Sequence, residues 1–406
     1  MNILILNHYA GSPDYGMEFR PYYLAKEWIK QGHNVRIIGG SFSHLRKIQP
    51  LKLGVEQIDG ITYYWVKTLR YKSNGIMRAL SMFQFALKIL MHGRKYLGAF
   101  TPDVVIASST YPLDIYPARK YAKHFEGKLV YEVHDLWPLS PMVIGGYSEK
   151  HPFIKIMQYA ENYAYKHADK VVSLLDKAFP HMQRHGLSAD RFVCVPNGFV
   201  EDEWTNNVNN KLPDIHTRIF NMLKTKYKTI VGFTGGHTAS TALNVLIDCA
   251  TKLQTEKIAF VFVGQGIQKK QLQTTVQNKG LTNAFFLPAV SKVLIPKVVE
   301  QFDICYMGGV HSVLHQYGTS FNKMTDYMLA CKPIVMSVDE PDSVVERVGC
   351  GLRVEAENPN QATKAILKIA NLSESERAEM GRKGYNYAVE HLKYSTLANQ
   401  FIQSIK

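Results

Sequence analysis

The chain alternates, twice over, between short apolar runs and longer amphipathic stretches. No other feature limits its fold as tightly. NILILN, HNVRIIGG, PDVVIASS, KLVYEVHD, DKVVSLL and RFVCVPN are too short for buried helices and too continuously apolar for strands with one wet face. They read as parallel strands covered on both sides. Between them lie helical patterns such as residues 17 to 31, which Gly32 closes. That order is βαβ winding. Near residue 205 the rhythm fails in TNNVNNKLPD, a polar stretch without periodicity, and it restarts with KTIVGFTG, IAFVFVGQG, AFFLPA, FDICYMGG, KPIVMS and GLRVEA. The expectation is an α/β protein of two doubly wound, Rossmann-like domains: 1–205, a linker at 206–224, 225–385, and a closing helix at 386–406. A chain of 406 residues is too long for one ordinary core. Open parallel sheets bind ligands at the carboxyl ends of their strands, so two sheets facing a central cleft would hold one between them.

Charge narrows the ligand. The formal net charge of +14 predicts attraction to something anionic: a nucleic acid, an acidic membrane or a phosphorylated small molecule. No RNP, zinc-finger or helix-turn-helix pattern supports nucleic acid, which is not an expected partner. The five cysteines, 194, 249, 305, 331 and 350, are scattered and form no Cys-x-x-Cys pair, as expected of a reducing compartment. MNILILNHY has no basic leader, and no uncharged stretch is long enough to span a bilayer. The chain reads as cytoplasmic, with room for a peripheral position at the inner face of the cell membrane.

The stretch SFNKMTDYM, residues 320 to 328, reads as a helix start with Ser320 as N-cap. Asn322 and Lys323 then stand in the first turn. A capping box would put Glu where Lys323 stands. A cation there opposes the helix dipole at a cost of about 0.3–1 kcal/mol. Free amides, the dipole, an Asn amide and an ammonium together make sense around a strong anion such as a diphosphate. The plain alternative is a solvated lysine bearing a small penalty. One turn on, Asp326 suits ribose hydroxyls, or else a helix salt bridge to Lys323.

Other loops follow strands. In NHYAGSPDYGMEFRP, Gly16 would let backbone amides approach a phosphate and Arg20 would add charge; a plain βα turn is the alternative. GFTGGHTAS, with Gly235 and Gly236, is the matching loop of the second half. VGQGIQKKQ lacks the third glycine of a dinucleotide fingerprint, since Lys269 occupies that place. His134 and Asp135 end the strand KLVYEV, where α/β sites gather, although a His-Asp pair can simply cap the next segment. Residues 71 to 95 are apolar and basic. Lys67, Arg70, Lys72, Arg78, Lys88, Arg94 and Lys95 occur with no carboxylate between Asp59 and Asp103. Such a helix either lies on an anionic bilayer or packs on its sheet and snorkels its cations. In SFSHLRK, Arg46 and Lys47 are two adjacent cations that suit an anion. His44, His311 and His315 are loop candidates only, the latter two without a third partner that would complete a metal site, and no Asp-x-Asp stands at a strand end. Activity is expected without a divalent metal or another cofactor.

The chain resembles family 4 of the retaining glycosyltransferases, of GT-B fold. It is most like the bacterial surface-polysaccharide subgroup that includes the O-antigen N-acetyl-L-fucosamine transferases. The resemblance rests on NHYAGSPDYGMEFRPYYLA, SFSHLR, EVHDLWP, VPNGF, VGQG and YGTSFNKMTDYMLACKPIV, in that order between residues 7 and 337. It implies a nucleotide-sugar donor, often a UDP-sugar, in the second domain. Lys323 with the amides around Ser320 and Asn322 would hold the diphosphate, Asp326 the ribose, and Gly235–Gly236 the β-phosphate, which Gly16 also approaches. His134 or Asp135 would line the reaction centre. The implied chemistry is front-face substitution, in which the departing phosphate takes the acceptor's proton. The implied acceptor is a saccharide on a polyprenyl diphosphate, in O-antigen or capsule synthesis, and Arg46 and Lys47 would meet its diphosphate. The chain departs from the broad family in having no Arg or Lys between Lys228 and Lys252. Gly318 also replaces the first Glu of a Glu-x7-Glu pattern, with Asp326 at the second. Lys323 then carries more of the charge, with Arg20, His237 or Lys292 as helpers. Two other readings fit a GT-B chain: a non-hydrolysing UDP-sugar 2-epimerase, and an inactive subunit that partners another enzyme.

Overall fold

The computed structural model describes residues 1–16, 19–72, 75–205 and 210–406. The chain divides into two compact units, Met1–Asn197 with Tyr394–Lys406, and Gly198–Lys393.

In the first unit the described residues form eight strands: β1 (Asn2–Leu6), β2 (Asn34–Gly40), β3 (Gly54–Ile58), β4 (Ile61–Val66), β5 (Val104–Ala107), β6 (Lys128–Val133), β7 (Lys170–Ser173) and β8 (Phe192–Cys194). Their order is β3-β4-β2-β1-β5-β6-β7-β8. All pairs are parallel except β3 with β4. Leu4 of β1 faces Arg36 on one side and Val105 on the other, so the winding reverses at β1. The β3–β4 hairpin was not anticipated from the sequence. Its turn is Asp59-Gly60, both at positive φ, between runs of alternating polarity. That dipeptide is the strongest short-range hairpin signal a sequence carries.

The second unit has a six-stranded sheet among the described residues, entirely parallel. It comprises β9 (Thr229–Thr234), β10 (Ile258–Val263), β11 (Ala284–Leu287), β12 (Ile304–Gly308), β13 (Ile334–Ser337) and β14 (Gly351–Val354). The order β11-β10-β9-β12-β13-β14 puts the reversal between β9 and β12. β9 and β10 are buried at every position because helices cover both faces. The fold is α/β with two Rossmann-like domains.

Two boundaries differ from expectation. Residues 206–209 lie outside the described part, but Asp214–Lys226 is a helix, not linker. His216, Phe220 and Leu223 bury its apolar face in the second unit. The expected closing helix is two: Glu374–His391 in the second unit, and Tyr394–Ile405, which belongs to the first. The latter is held by helix Arg20–Lys30, where Trp28 Nε1 donates to the Ala398 carbonyl at 3.0 Å and the Trp28 and Phe401 rings lie 5.2 Å apart. The pattern across 386–406 is apolar on both sides of Leu392, so it does not show the break.

Candidate functional site

In the second unit the loops after β9 and β12 flank the point where strand order reverses, the usual ligand position in open α/β sheets. Helix Asn322–Leu329 is fastened there by a buried phenol. The Tyr327 hydroxyl accepts from the Thr234 amide at 3.0 Å and bonds the Thr234 hydroxyl at 3.2 Å, tying the helix to the end of β9. Ser320 is not the N-cap. Phe321 holds that position, and the helix has no side-chain cap. Phe321 packs against the apolar core beside it, and its carbonyl accepts from the Met324 amide at 3.0 Å. Lys323 stays in the first turn, with Asn322 exposed before it.

Lys323 is half-buried. Its Nζ lies 4.5 Å from the centre of the Phe233 ring and forms no hydrogen bond or ion pair with the described residues. Burial holds its pKa down at about 8. Gly235 explains the room beside it. Its φ is +134°, and a Cβ there would stand 3.6 Å from Lys323 Nζ. Gly264 is under firmer constraint, since a Cβ would come within 1.9 Å of the Gly235 carbonyl oxygen. The glycines at the ends of β9 and β10 therefore let two loops nest. Lys269, in the place of a fingerprint's third glycine, donates to the Gly264 and Leu287 carbonyls at 2.7 and 2.9 Å. It braces the loops that follow β10 and β11.

His237 is fully buried, and neither ring nitrogen has a partner among the described residues. Burial first, then the Lys269 and Lys323 charges, lower its pKa to about 4, so the ring is neutral at pH 7. Asp326 makes no ion pair with Lys323. Burial raises its pKa to about 6, moderated by Lys292. Lys292 itself sits 3.1 Å from Glu203, so its charge is met by a carboxylate. Glu340 was not anticipated. It is buried at the loop after β13 and accepts from the Thr319 hydroxyl, fixing the segment that leads into the helix.

The first unit gathers a second cluster. Glu132, buried near the end of β6, accepts from Arg20 Nε at 2.9 Å and from the Ser108 hydroxyl at 2.6 Å, and lies 3.2 Å from His134 Nε2. Burial alone would raise its pKa. Arg20, His134 and Ser108 outweigh that and bring it to about 2. Arg20 also donates to the Pro196 and Val195 carbonyls at 2.6 and 2.8 Å. It is not a phosphate helper: a buried guanidinium bonded to a carboxylate and two carbonyls is an internal clamp. Asp135 Oδ1 accepts from the Leu136 amide at 2.9 Å and the Ser140 hydroxyl at 2.6 Å, so it caps the following segment, and burial raises its pKa. His134 is left half-buried at the strand end, oriented through Ser108 and Glu132.

Gly16 has φ +79°, and a Cβ there would press on Lys47 Cγ at 3.1 Å, so these two come together. Lys47 is exposed. Arg46 is buried over the Trp65 ring, donates to the Gly40 carbonyl, and leaves Nε and Nη1 without partners among the described residues. Desolvation lowers its pKa to about 10. Arg78 lies over the rings of Tyr9 and Trp137 and donates to the Tyr9 hydroxyl at 3.2 Å. Helix Ile76–Leu97 buries Ser81, Met82, Phe85, Ile89 and Gly93 against its unit. Its other face leaves Ile76 79%, Leu80 47%, Leu87 52% and Met91 58% exposed. Lys88 bonds the Lys67 carbonyl, and Arg94 opens on a cleft of about 670 Å³ lined also by Lys95, Lys120 and Lys123. No helix among the described residues is long and apolar enough to cross a membrane.

Two family models match the chain: Glycosyltransferase Family 4 over residues 15–203, and Glycosyl transferases group 1 over residues 228–371. Between them they take in most of the sequence. Both halves of the chain therefore carry glycosyltransferase domains, and the fold is GT-B. A relative named as the colanic acid biosynthesis glycosyl transferase WcaI of Escherichia coli K12 is 30% identical over 93 residues, 23% of this chain and 21% of the relative. The match therefore spans about a fifth of that relative's length. Among solved structures, Anabaena HepE in complex with UDP superposes with TM-score 0.71 at 14% identity, covering 100% of this chain and 99% of that one. Sucrose-phosphate synthase of Thermosynechococcus elongatus gives 0.72 at 15%, covering 99% and 98%. WaaG, a glycosyltransferase involved in lipopolysaccharide biosynthesis, gives 0.66 at 14%, covering 100% of both. At such identities the likeness is one of fold.

Proposed function

We propose that this GT-B chain is a retaining glycosyltransferase that moves a sugar from a nucleoside diphosphate sugar, with uracil as base, to a saccharide carried on a lipid diphosphate in bacterial surface-polysaccharide synthesis. One observation carries the reading. Lys323 is a half-buried ammonium without a counter-ion among the described residues, at the amino end of a helix, beside a glycine loop at a sheet's reversal point. Each element favours an anion, and together they suit a diphosphate. HepE, of the same fold, has been crystallised with UDP and with UDP-glucose, which supports the choice of base.

In this reading the Gly235–Gly236 backbone and the amides of Ser320 and Asn322 receive the phosphates, and Lys323 stabilises the charge that grows as the sugar leaves. Preorganised donors of this kind commonly supply the largest share of rate enhancement. Asp326 takes the ribose hydroxyls. Its raised pKa suits a carboxyl whose partner is a neutral diol. His237, neutral and unpartnered, offers one N–H to the same anion. His134 acts at the transferred sugar or the incoming hydroxyl, and Asp135 positions the loop that carries it. The departing phosphate accepts the acceptor's proton, so no protein carboxylate serves as nucleophile, and no metal is required.

Arg46 and Arg78, set among aromatic rings, are the candidate acceptor contacts. The exposed apolar and basic face of Ile76–Leu97 is the candidate membrane contact, since apolar side chains flanked by cations suit an anionic interface. A thermal-shift screen against UDP-, GDP- and ADP-sugars tests the donor, followed by product stereochemistry with the best binder and a polyprenyl diphosphate saccharide. Stabilisation by no nucleotide sugar, or inversion at the anomeric carbon, would overturn the reading.

A further inference from the structure

In the first unit, three ligand-type side chains converge between two helices. Glu161 lies in helix Pro152–His167 and is 1% exposed. His181 lies in helix Phe179–Arg184, and His185 ends it. Four residues apart, the two imidazoles share one side of that helix. One ligand atom from each of the three groups lies within 4.8 Å of the others. His181 Nε2 is 3.3 Å from Glu161 Oε1, and the two imidazole rings are 4.6 Å apart between centres.

Glu161 has neutral donors around it: the Tyr165 hydroxyl at 2.8 Å on Oε1 and the Gln158 amide at 2.7 Å on Oε2. No lysine or arginine of the described residues forms an ion pair with it. A buried carboxylate needs a counter-charge. We infer that Glu161, His181 and His185 form a zinc site that clasps the two helices. Two imidazoles and one carboxylate are a zinc ligand set, and the metal binds the deprotonated carboxylate with both imidazoles neutral. Zinc bonds of roughly 2.0–2.2 Å hold neighbouring ligand atoms about 3.5 Å apart, so closure requires only side-chain adjustment. The fourth position falls at the half-exposed rim beside His185, where the Asn162 side-chain oxygen, 3.1 Å from His185 Nδ1, or water completes it. Gln158 Nε2 also lies 2.7 Å from Asn162 Oδ1 and 3.0 Å from His185 Nδ1, so metal entry displaces this amide, while Tyr165 orients the carboxylate as outer partners do in zinc proteins.

The full-length protein, stripped with a chelator and desalted, is titrated with Zn²⁺ by calorimetry and with Co²⁺ by visible absorption. One equivalent of Zn²⁺, the visible bands of four-coordinate Co²⁺ and a melting temperature raised by Zn²⁺ are expected. His185→Ala removes a half-buried ligand and leaves the Glu161–His181 contact in place. It should weaken binding by more than about 100-fold, beyond the range of outer-partner changes. His185→Phe, which keeps the ring volume, should do the same if the alanine variant is unstable. Tyr165→Phe keeps all three ligands and should weaken binding by about 10- to 100-fold. No stoichiometric binding by the parent protein overturns the inference and leaves a hydrogen-bonded His-Glu pair. Stoichiometric binding that survives in both His185 variants also overturns it, since the metal then sits elsewhere.

Discussion

Replacing Lys323 by Met keeps the length of the stem and its contact with Phe233 while deleting the charge, so the ammonium is tested alone. A phosphate against the Gly235 backbone comes within direct contact of Nζ, because a Cβ at Gly235 would itself be 3.6 Å away. At roughly 4 Å and an effective dielectric near 20, one such charge pair is worth about 4 kcal/mol. A hydrogen bond to a charged group nets about 1.5–3 kcal/mol. A loss of about 2–4 kcal/mol corresponds to a roughly 30- to 700-fold rise in Kd for UDP. Uridine, without phosphates, should change less than about twofold on the same scale. Calorimetry with UDP, UMP and uridine at pH 7 measures all three. The pH dependence supplies a second signature. Lys323 titrates at about 8 in the empty protein, so UDP affinity should fall by up to about tenfold per unit above that pH. The Met variant should lack this decline. Stability moves the other way. A folded pKa below the unfolded value means the buried charge opposes folding; the penalty is complete below about pH 8 and is relieved as pH rises toward the unfolded pKa. Lys323→Met should therefore raise the melting temperature of the ligand-free protein at pH 7. Equal losses of affinity for UDP and uridine would refute the argument.

Arg20→Ala should destabilise the protein by about 3–5 kcal/mol, because it strands the buried Glu132 carboxylate, while UDP affinity in calorimetry stays unchanged. Glu132, held down at about 2, contributes stability above its unfolded pKa that is lost as pH falls from about 4.5 toward 2, and acid unfolding of Glu132→Gln should lack that component. His134→Asn should lower kcat by roughly 10²–10⁴-fold with UDP binding retained, the range for loss of a proton-handling group. Leu80→Glu with Leu87→Glu should reduce sedimentation with anionic vesicles and leave the melting temperature near that of the parent, because both side chains are exposed.

Much of this was legible in the chain. All twelve strands expected from apolar runs are present, because strands covered on both faces need continuous apolar sequence. Lys323 stood out because a cation in a first turn contradicts a local rule, and such contradictions gather at functional sites. The β3–β4 hairpin was readable from Asp59-Gly60, and His181-x3-His185 has metal-ligand spacing, but its third member lies twenty residues earlier on another helix. Arg20 misled because a strand–glycine–helix loop offers no sign of whether its arginine meets a ligand or Glu132, 112 positions away. The same applies to Ser320: Ser is the better cap by propensity, but Phe321 takes the position as its ring packs on the core.

By itself, the sequence determined the number of domains, their parallel winding and the loops where ligands gather, since periodicity and turn chemistry act over a few neighbouring residues. Only the tertiary structure decided which charges are free and which are spent. Arg20 and Lys292 are each met by acceptors from distant parts of the chain, while Lys323 has none among the described residues. A charge's availability depends on what the fold brings within about 4 Å of it, and that distance is unrelated to separation along the chain.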